Sequence, residues 1–510
     1  MSLSRTFQPF EGLLSRLVVA VLFLSLVSLS VDTSVALGAK TNTGTAYNQP
    51  TWWAKYQHLL NNSQSLDKGP TSSVKVGSNI DVSNEKGPQS ETAITLNPAN
   101  PDQLVAGSNE IDRLAMRGYY SSDGGTNWGA VDLPLPPAST TNGTDFGSDP
   151  AVAFDTRGNV YYGYIIVFFN RQFASIQGTE MAVAKSSDGG RSWPQVTYFN
   201  FNSGTGKFND KPMLTVDTNP TSPYRDTVYI AWDNASYNQG KSSANNALLL
   251  SHSTDGGLTF SSPVTLNSLN GGPNSVIGAD PFVGSNGEVY VAWADIVSSR
   301  IMVNRSFDGG QTFGQEIPVA ATSLSYQAII PAQASRGALI YPACDTDRSN
   351  GPNRGSLYCS WMDGNGSSGT DIFEAYSTNQ GVSWSEPVRV NDDAAGVNRD
   401  QFNQWLSVDP VTGTVNLSWY DTRNDPNNTK TDVYLGVSTN GGLSYAPNIK
   451  VTDVPSDESA ANPYADAGDQ YGDYEGIVAY GGTIHPVWTD GRFDQVMGEE
   501  VFTAAVTVTK

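Results

Sequence analysis

The sequence SSDGGTNW, at residues 121–128, returns with small changes five more times along the chain. The other copies are SSDGGRSW (186–193), STDGGLTF (253–260), SFDGGQTF (306–313), STNQGVSW (377–384) and STNGGLSY (438–445). The glycines permit the positive φ angles of a tight turn, and the Asp carboxylate can accept hydrogen bonds from the N–H groups of that turn. The aromatic residue then returns the chain to a strand. Each copy therefore predicts the connection of a β-hairpin and carries no catalytic chemistry of its own.

A second repeat lies between these turns and consists of two apolar strands joined by a turn. It occurs seven times, at residues 91–110, 149–165, 211–233, 280–295, 342–363, 404–421 and 473–490. Six of these strand pairs are followed by one of the glycine turns, so each unit is interpreted as four antiparallel strands. A sheet that is apolar on both faces can bury both in a radial arrangement of sheets. The predicted fold class is therefore all-β, a β-propeller of four-stranded blades, with seven blades favoured over six.

The composition limits the class of protein and its partners. The 510 residues include 50 glycines and 23 tyrosines, and 38% are hydrophobic, which is typical of a large turn-rich β protein rather than a disordered chain. A formal net charge of −21 argues against a nucleic-acid partner, which needs a basic surface. We expect no transmembrane domain, and we expect a monomer.

The N-terminus predicts the cellular compartment. Arg5 and Arg16 precede an apolar run at residues 17–29, and small residues stand at positions 36 and 38. We interpret residues 1–38 as a secretory signal peptide, with an uncleaved anchor as the alternative. Residues 39–75 are rich in Ser, Asn, Gly and Thr and are predicted to form a flexible N-terminal segment, followed by the propeller at 76–510. The predicted location is extracellular.

Two features concern the core. Cys344 and Cys359 are the only cysteines, and their flanking sequences are typical of neighbouring strands in one hairpin, so an exported protein can join them in a disulfide. Tryptophans recur at one position of the second strands, and this regular placement predicts a core between blades rather than a sugar-stacking surface: Trp232, Trp293, Trp361, Trp419 and Trp488.

The pattern S-x-D-G-G-x-[TS]-[WF] resembles the Asp-box, or BNR repeat, of sialidases and related propellers, and the resemblance covers nearly all of the chain after residue 75. It implies a propeller whose Asp-boxes lie on the face opposite the active site. It also implies action on extracellular glycans, with exo-sialidase-like glycoside hydrolysis as the sharpest function. The Arg-Ile-Pro motif of sialidases is absent, and seven strand pairs depart from their six blades. These departures keep open a non-catalytic propeller that binds a glycan or a protein partner.

The functional face implied by the resemblance carries polar residues at the starts of the innermost strands and the ends of the second strands. Glu110 and Asp149 are candidates for the catalytic acid or base. Asp421 and Asp490, at two second-strand ends, are candidate substrate ligands, and capping of the following loop is the alternative. The starts of the innermost strands offer Glu91, Asp149, Asp210 with Lys211, Asp280, Tyr341, Asn403 and Asp473.

Three arginines and one tyrosine interrupt the repeat at the same face. Sialidases hold the substrate carboxylate with three arginines, and a guanidinium suits bidentate carboxylate binding, so Arg399, Arg423 and Arg492 are predicted to bind substrate. An ion pair with a neighbouring aspartate that closes a loop is the alternative. Tyr474 and Glu475 resemble the sialidase nucleophile pair, in which the Glu acts as base because a free phenol has a pKa of about 10.

We expect no cofactor. None of the three histidines pair at metal-ligand spacing. The stretch DTDRSNG, at residues 345–351, differs from a calcium loop at Asn350 and Ser356. Calcium binding is the alternative, because the acidic loops offer many oxygen atoms as ligands.

Overall fold

The chain folds into seven four-stranded antiparallel sheets. The computed structural model describes residues 73–137, 145–170, 175–203, 208–235, 237–238, 241–242, 246–269, 275–324, 326–367, 369–465 and 470–509. The predicted signal peptide lies outside these residues. The innermost strand of each sheet contacts that of the next, and the seventh contacts the first. The predicted all-β propeller with seven blades is therefore confirmed.

The first six blades follow the chain, each built from the centre outward. Blade 1 contains Gln89–Asn97, Asn100–Glu110, Arg117–Ser121 and Gly129–Asp132, and blade 2 contains Phe146–Phe154, Val160–Asn170, Ser175–Ser186 and Gln195–Ser203. Blade 3 contains Phe208–Val216, Val228–Ala235, Ala247–Ser253 and Val264–Thr265, and blade 4 contains Val276–Val283, Val289–Asp295, Arg300–Ser306 and Ile317–Ala321. Blade 5 contains Ala343–Thr346, Leu357–Gly364, Thr370–Ser377 and Val388–Arg389, and blade 6 contains Gln401–Val408, Val415–Asp421, Asp432–Ser438 and Ile449–Lys450.

Blade 7 closes the ring with strands from both ends of the described chain. Its two inner strands are Gly476–Tyr480 and Thr483–Asp490, and its third is split into Glu500–Thr503 and Val506–Thr509. The outermost strand comes from the N-terminal side, where Ser73–Val76 pairs with Val506–Thr509 and Ile80–Asp81 pairs with Phe502 and Thr503. Backbone hydrogen bonds therefore join the first described strand to the last.

Among the described residues, three short elements lie outside the blades. The hairpin Gln327–Ile330 with Gln333–Leu339 is inserted between blades 4 and 5, and Tyr237–Asn238 pairs with Lys241–Ser242. A 3-10 turn spans Gly491–Phe493. Among the residues described, no helix is long and apolar enough to cross a membrane.

Apolar side chains fill the spaces between blades. The five recurrent tryptophans are each no more than 1% exposed, which confirms their assignment to the core. Cys344 lies directly opposite Cys359 on paired strands of blade 5, and the two form the predicted disulfide.

The glycine turns connect the third and fourth strands of blades 1 to 6, as predicted. In the first copy, Gly124 and Gly125 adopt φ angles of 69° and 81°. Asp123 Oδ1 accepts hydrogen bonds from the backbone N–H groups of Thr126 (3.2 Å) and Asn127 (2.9 Å), while Ser121 Oγ accepts one from Gly125 N (3.0 Å). The carboxylate thus fastens the turn, which confirms a structural role for the motif.

Candidate functional site

A β-bulge near the start of five innermost strands prepares the candidate site. The pairing register shifts there in blades 1, 2, 3, 4 and 6. Within four bulges a non-glycine residue has a positive φ: Glu91 (52°), Asp149 (61°), Lys211 (49°) and Asn403 (48°). This conformation costs about 1–3 kcal/mol per residue and is concentrated at functional sites, while a bulge re-aims the side chain it carries. The bulges therefore turn polar side chains toward the centre of the ring.

Three of these four residues, Glu91, Asp149 and Lys211, help to line a central cavity of about 530 Å³. Blades 1 to 4 contribute most of the wall, the inserted hairpin contributes Arg336, and the entry to blade 7 contributes Asp473. The acidic and basic side chains of the lining are five carboxyl groups and three cations: Glu91, Glu110, Asp149, Asp210, Asp473, Arg113, Lys211 and Arg336.

Two of the cations are paired within the wall. Lys211 Nζ contacts Asp473 Oδ2 and lies 3.9 Å from Glu91 Oε1. Arg336 reaches both carboxylates, with its Nη2 2.7 Å from Glu91 Oε1 and its Nε 2.6 Å from Asp473 Oδ1. Burial opposes ionisation of Asp473, but Lys211 and Arg336 outweigh it and hold the pKa of that carboxyl below its usual range. The four side chains form one network in which Asp473 is the ionised partner of both cations, while burial raises the pKa of Glu91 well above its usual value.

Asp149 is held as a carboxylate at the edge of this network. It accepts hydrogen bonds from Ser148 Oγ (2.7 Å) and from the backbone N–H of Lys211 (3.0 Å). Burial disfavours the charge, but Lys211 and Ser148 outweigh it and lower the pKa of Asp149. For Asp210 beside it, burial and the charge of Asp149 raise the pKa well above its usual range. Asp149 is therefore the ionised member of this pair.

The pKa of Glu110 is shifted in the opposite direction to that of Asp149. Its side chain, at the end of the second strand of blade 1, is 8% exposed. Burial raises its pKa to about 7, although Tyr119 and Ser108 stabilise the charged form by donating hydrogen bonds to Oε1 (2.6 and 2.9 Å). Near neutral pH a substantial fraction of Glu110 is protonated, so it can donate a proton into the cavity.

Tyr474 and Glu475 lie in different surroundings. The Tyr474 ring is 6.0 Å from Lys211 Nζ, and burial followed by the charge of Glu91 raises the pKa of the phenol well above its usual value. Glu475 is buried against blade 6 beside Ser418, and burial raises its pKa as well. The structure does not bring the two together as nucleophile and base, and their catalytic roles stay predictions.

The three predicted arginines do not converge, and none lines the central cavity. Arg423 pairs with Asp421 (2.7 Å) and Arg492 with Asp490 (2.8 Å), each two residues away. Arg399 is half-buried and donates to the carbonyl oxygen of Asn398 (2.5 Å). The first two arrangements match the loop-closing ion pair that the sequence left open. Substrate binding by these arginines and by Asp421 and Asp490 stays a prediction.

The repeated strand pattern did not predict two features of the site. Arg336 belongs to the inserted hairpin, whose sequence has no counterpart in the other blades, so nothing marked it as a wall residue. Asp280, expected at the functional face, instead accepts a hydrogen bond from Cys344 N of the next blade (2.7 Å). It lies beyond the bulge of blade 4, in which Gly278 occupies the position of Asp149. The bulge changes which residue faces the centre.

Comparisons with known proteins give the following likenesses. No protein-family model matches the sequence, and no curated protein matches it. A structure of a protein of unknown function from Dyadobacter fermentans is 12% identical, with a TM-score of 0.46, over 86% of this chain and 99% of that one. A Hadza microbial sialidase is 13% identical, with a TM-score of 0.44, over 79% of this chain and 75% of that one. An α-L-arabinofuranosidase from Fusarium graminearum is 11% identical, with a TM-score of 0.44, over 73% of this chain and 95% of that one. At these scores the likenesses support no conclusion about activity.

Proposed function

We propose that this protein hydrolyses glycosidic bonds in its central cavity, with Glu110 as the proton donor and Asp149 as the ionised carboxylate. The observation that carries the proposal is that both carboxyl groups, one in blade 1 and one in blade 2, line the same cavity. Its volume of about 530 Å³ is within the range of small-molecule sites and large enough for a sugar.

The environments of the two carboxyl groups support their division of labour. Burial moves the pKa of Glu110 up to about 7, whereas Lys211 and Ser148 overcome burial and move that of Asp149 down. Most glycoside hydrolases need one protonated and one ionised carboxyl group on either side of the scissile bond. In the proposed step, the Glu110 proton passes to the oxygen of the leaving group as the glycosidic bond breaks. The negative charge of Asp149 stabilises the positive charge that develops at the anomeric carbon. Water then forms a bond to that carbon, and the proton that the water loses returns to the Glu110 carboxylate.

The charge balance of the wall favours a neutral sugar over a sialoside. Lys211 and Arg336 are both engaged by Glu91 and Asp473, and Arg113 pairs with Asp132 (3.2 Å) at the rim. A substrate carboxylate entering this site would face additional carboxylates and would have to displace existing ion pairs, which costs free energy. The exo-sialidase activity implied by the resemblance is therefore the alternative, and a sialoside is included among the test substrates.

The experiment measures hydrolysis of a panel of neutral aryl glycosides and one aryl sialoside. For a substrate that turns over, Glu110→Gln should lower kcat by about 10²–10⁴-fold when the leaving group is a poor one, because general acid catalysis contributes that much. The loss should be small for a nitrophenyl leaving group, which departs without a proton. Asp149→Asn should impair both kinds of substrate. Glu386→Gln, at an exposed position, is the matched control.

The panel also separates the alternatives. If the protein hydrolyses the sialoside and none of the neutral glycosides, its substrate is a sialoside rather than a neutral glycoside. Equal activity of Glu110→Gln and the native protein on the poor leaving group would contradict the assigned acid. A folded protein that binds glycans and hydrolyses none would support the non-catalytic propeller instead.

A further inference from the structure

A second cluster of carboxyl groups lies in blade 7, outside the central cavity. Glu458 comes from the connection between blades 6 and 7, Asp494 directly follows the 3-10 turn, and Glu499 directly precedes the third strand. One oxygen from each residue lies within 4.8 Å of the others. Glu458 and Glu499 are each 1% exposed. Three carboxyl groups are thus brought together in a largely water-excluded place.

Two of the three carboxyl groups, those of Glu458 and Asp494, lack the cationic partners that the central network has. Within the described part of the chain, neither Glu458 nor Asp494 pairs with a lysine or arginine, and Glu458 Oε2 has no hydrogen-bond partner. Like charges at this separation repel strongly where water is excluded. An almost fully buried carboxylate oxygen without a donor is costly unless something else occupies its lone pairs.

The backbone is shaped to admit these oxygens. A Cβ atom at Gly491 would collide with Glu458 Oε1 and would lie 2.8 Å from both carboxylate oxygens of Asp494, so the glycine leaves room for these oxygens where they lie. Asn462 Nδ2 donates to Asp494 Oδ2 (2.6 Å) and holds that carboxylate in place. A cavity of about 310 Å³, lined in part by Gly491 and Asp494, lies beside the cluster and leaves room for water.

We infer that Glu458, Asp494 and Glu499 form a binding site for a calcium ion. The donors are all carboxylate oxygens, which hard cations prefer, and the cluster contains no histidine or cysteine to favour zinc or copper. Ca²⁺ accepts six to eight oxygen ligands in flexible geometry, so water from the adjoining cavity can complete its shell. Mg²⁺ demands a stricter octahedron and is the comparison ion.

The ion would connect the closure of the ring to the wall of the central cavity. The carbonyl oxygen of Glu458 accepts a hydrogen bond from Gln470 Nε2 (2.5 Å). Gln470 Oε1 in turn accepts a hydrogen bond from the backbone N–H of Arg336 (3.1 Å). Arg336 is the residue of the inserted hairpin that lines the central cavity and pairs with Glu91 and Asp473. The carbonyl oxygen of Glu499 accepts from Gln89 N (2.9 Å), two residues before Glu91. Calcium would therefore stabilise both the fold and the geometry of the cavity.

A shared proton is the competing way to relieve the repulsion. Burial and then the charge of Glu499 raise the pKa of Asp494 to about 7. Burial and the same neighbour raise that of Glu458 well above its usual value. A calcium ion displaces such a proton and binds more tightly as the carboxyl groups ionise, so calcium affinity that rises with pH distinguishes the ion from the proton.

The test uses the whole protein, freed of metal by dialysis against a chelator, at pH 8. Calorimetric titration with CaCl₂ should show one ion bound, and calcium at a hundredfold excess over its Kd should raise Tm by about 3 °C for a protein of this size. Magnesium should give a smaller shift at the same concentration. Glu458→Gln should abolish both the heat and the Tm shift, while Glu386→Gln should keep both.

Two results would overturn the inference. One is native protein that neither binds calcium nor gains stability from it at pH 8. The other is Glu458→Gln protein that binds calcium as the native protein does. If Glu458→Gln does not fold, Asp494→Asn takes its place, since Asp494 is only partly buried. A gain in metal-free stability for either variant, without any calcium effect on the native protein, would assign the cluster to a shared proton.

Discussion

Removal of the Tyr119 hydroxyl group should raise the pKa of Glu110, the proposed catalytic acid. Tyr119 is fully buried in the third strand of blade 1, and its hydroxyl donates to Glu110 Oε1 (2.6 Å). This bond stabilises the charged form of Glu110 and opposes the effect of burial. Tyr119→Phe removes the donor and leaves Ser108 Oγ (2.9 Å) as the other side-chain donor to this oxygen. The pKa of Glu110 should therefore rise.

The size of the rise follows from the strength of the bond. A hydrogen bond to a charged group contributes about 1.5–3 kcal/mol, and one pKa unit corresponds to about 1.36 kcal/mol, so the rise should be about 1–2 units. Glu110 should then titrate at about 8–9, starting from a pKa of about 7 in the native protein. Because the protonated form is the active acid, the alkaline limb of the pH–rate profile should move upward by the same amount.

Two readouts follow the change. Carbon-13 NMR of glutamate-labelled protein reports the titration of Glu110 directly, with Glu110→Gln used for assignment, and the pH–rate profile reports it through activity. Tyr120→Phe is the matched control, because it removes a hydroxyl from the adjacent residue of the same strand. An unchanged or lower pKa of Glu110 in Tyr119→Phe would refute the reasoning about its environment. A higher pKa with an unmoved alkaline limb would refute its role as the acid.

Three further predictions concern stability. Replacing both Cys344 and Cys359 by alanine should lower the free energy of unfolding by about 3 kcal/mol, because the bond closes a loop with a sequence separation of 15, and calorimetry that finds no loss would contradict this. Lys211→Met should lower the free energy of unfolding in urea denaturation by less than the about 3–5 kcal/mol that an unpaired buried charge costs, because Arg336 still pairs with Asp473, and Lys211→Met with Asp473→Asn should recover part of the loss. Carboxyl groups whose pKa the fold raises stabilise the protein fully below their unfolded pKa of about 4 and lose that contribution as pH rises through their folded pKa. The Tm should therefore fall between pH 5.5 and 9, and a rise would exclude a dominant role for the groups with pKa values of about 7, 7 and 8: Glu110, Asp233 and Glu500.

Local chemistry explains why much of the fold could be predicted. The Ser121–Asp123 hydrogen bonds and the glycines of each turn act within eight residues, so their pattern is visible in the sequence wherever a hairpin occurs. Counting these turns and the strand pairs predicted seven blades. The disulfide was predictable for the same reason, since its cysteines lie on the two strands of one hairpin.

The candidate site was predictable only in part. Glu110 and Asp149 were selected from the ends and starts of strands, and both line the cavity. Arg423 and Arg492 occupy similar sequence positions, but their neighbouring aspartates hold them away from it. A guanidinium two residues from a carboxylate can either bind substrate or close a loop, and the sequence does not distinguish the two.

The sequence by itself determined the repeating unit, the class of fold, the number of blades and the covalent link in blade 5, because each depends on residues close together along the chain. The tertiary structure alone decided how the ring closes, which side chains line its central cavity and where buried carboxyl groups cluster. The strand Ser73–Val76 joins Val506–Thr509, Arg336 enters from an inserted hairpin, and Glu458 meets Glu499 across blade 7. These contacts join residues that are distant in sequence, and they exist only once the blades have packed around a common axis.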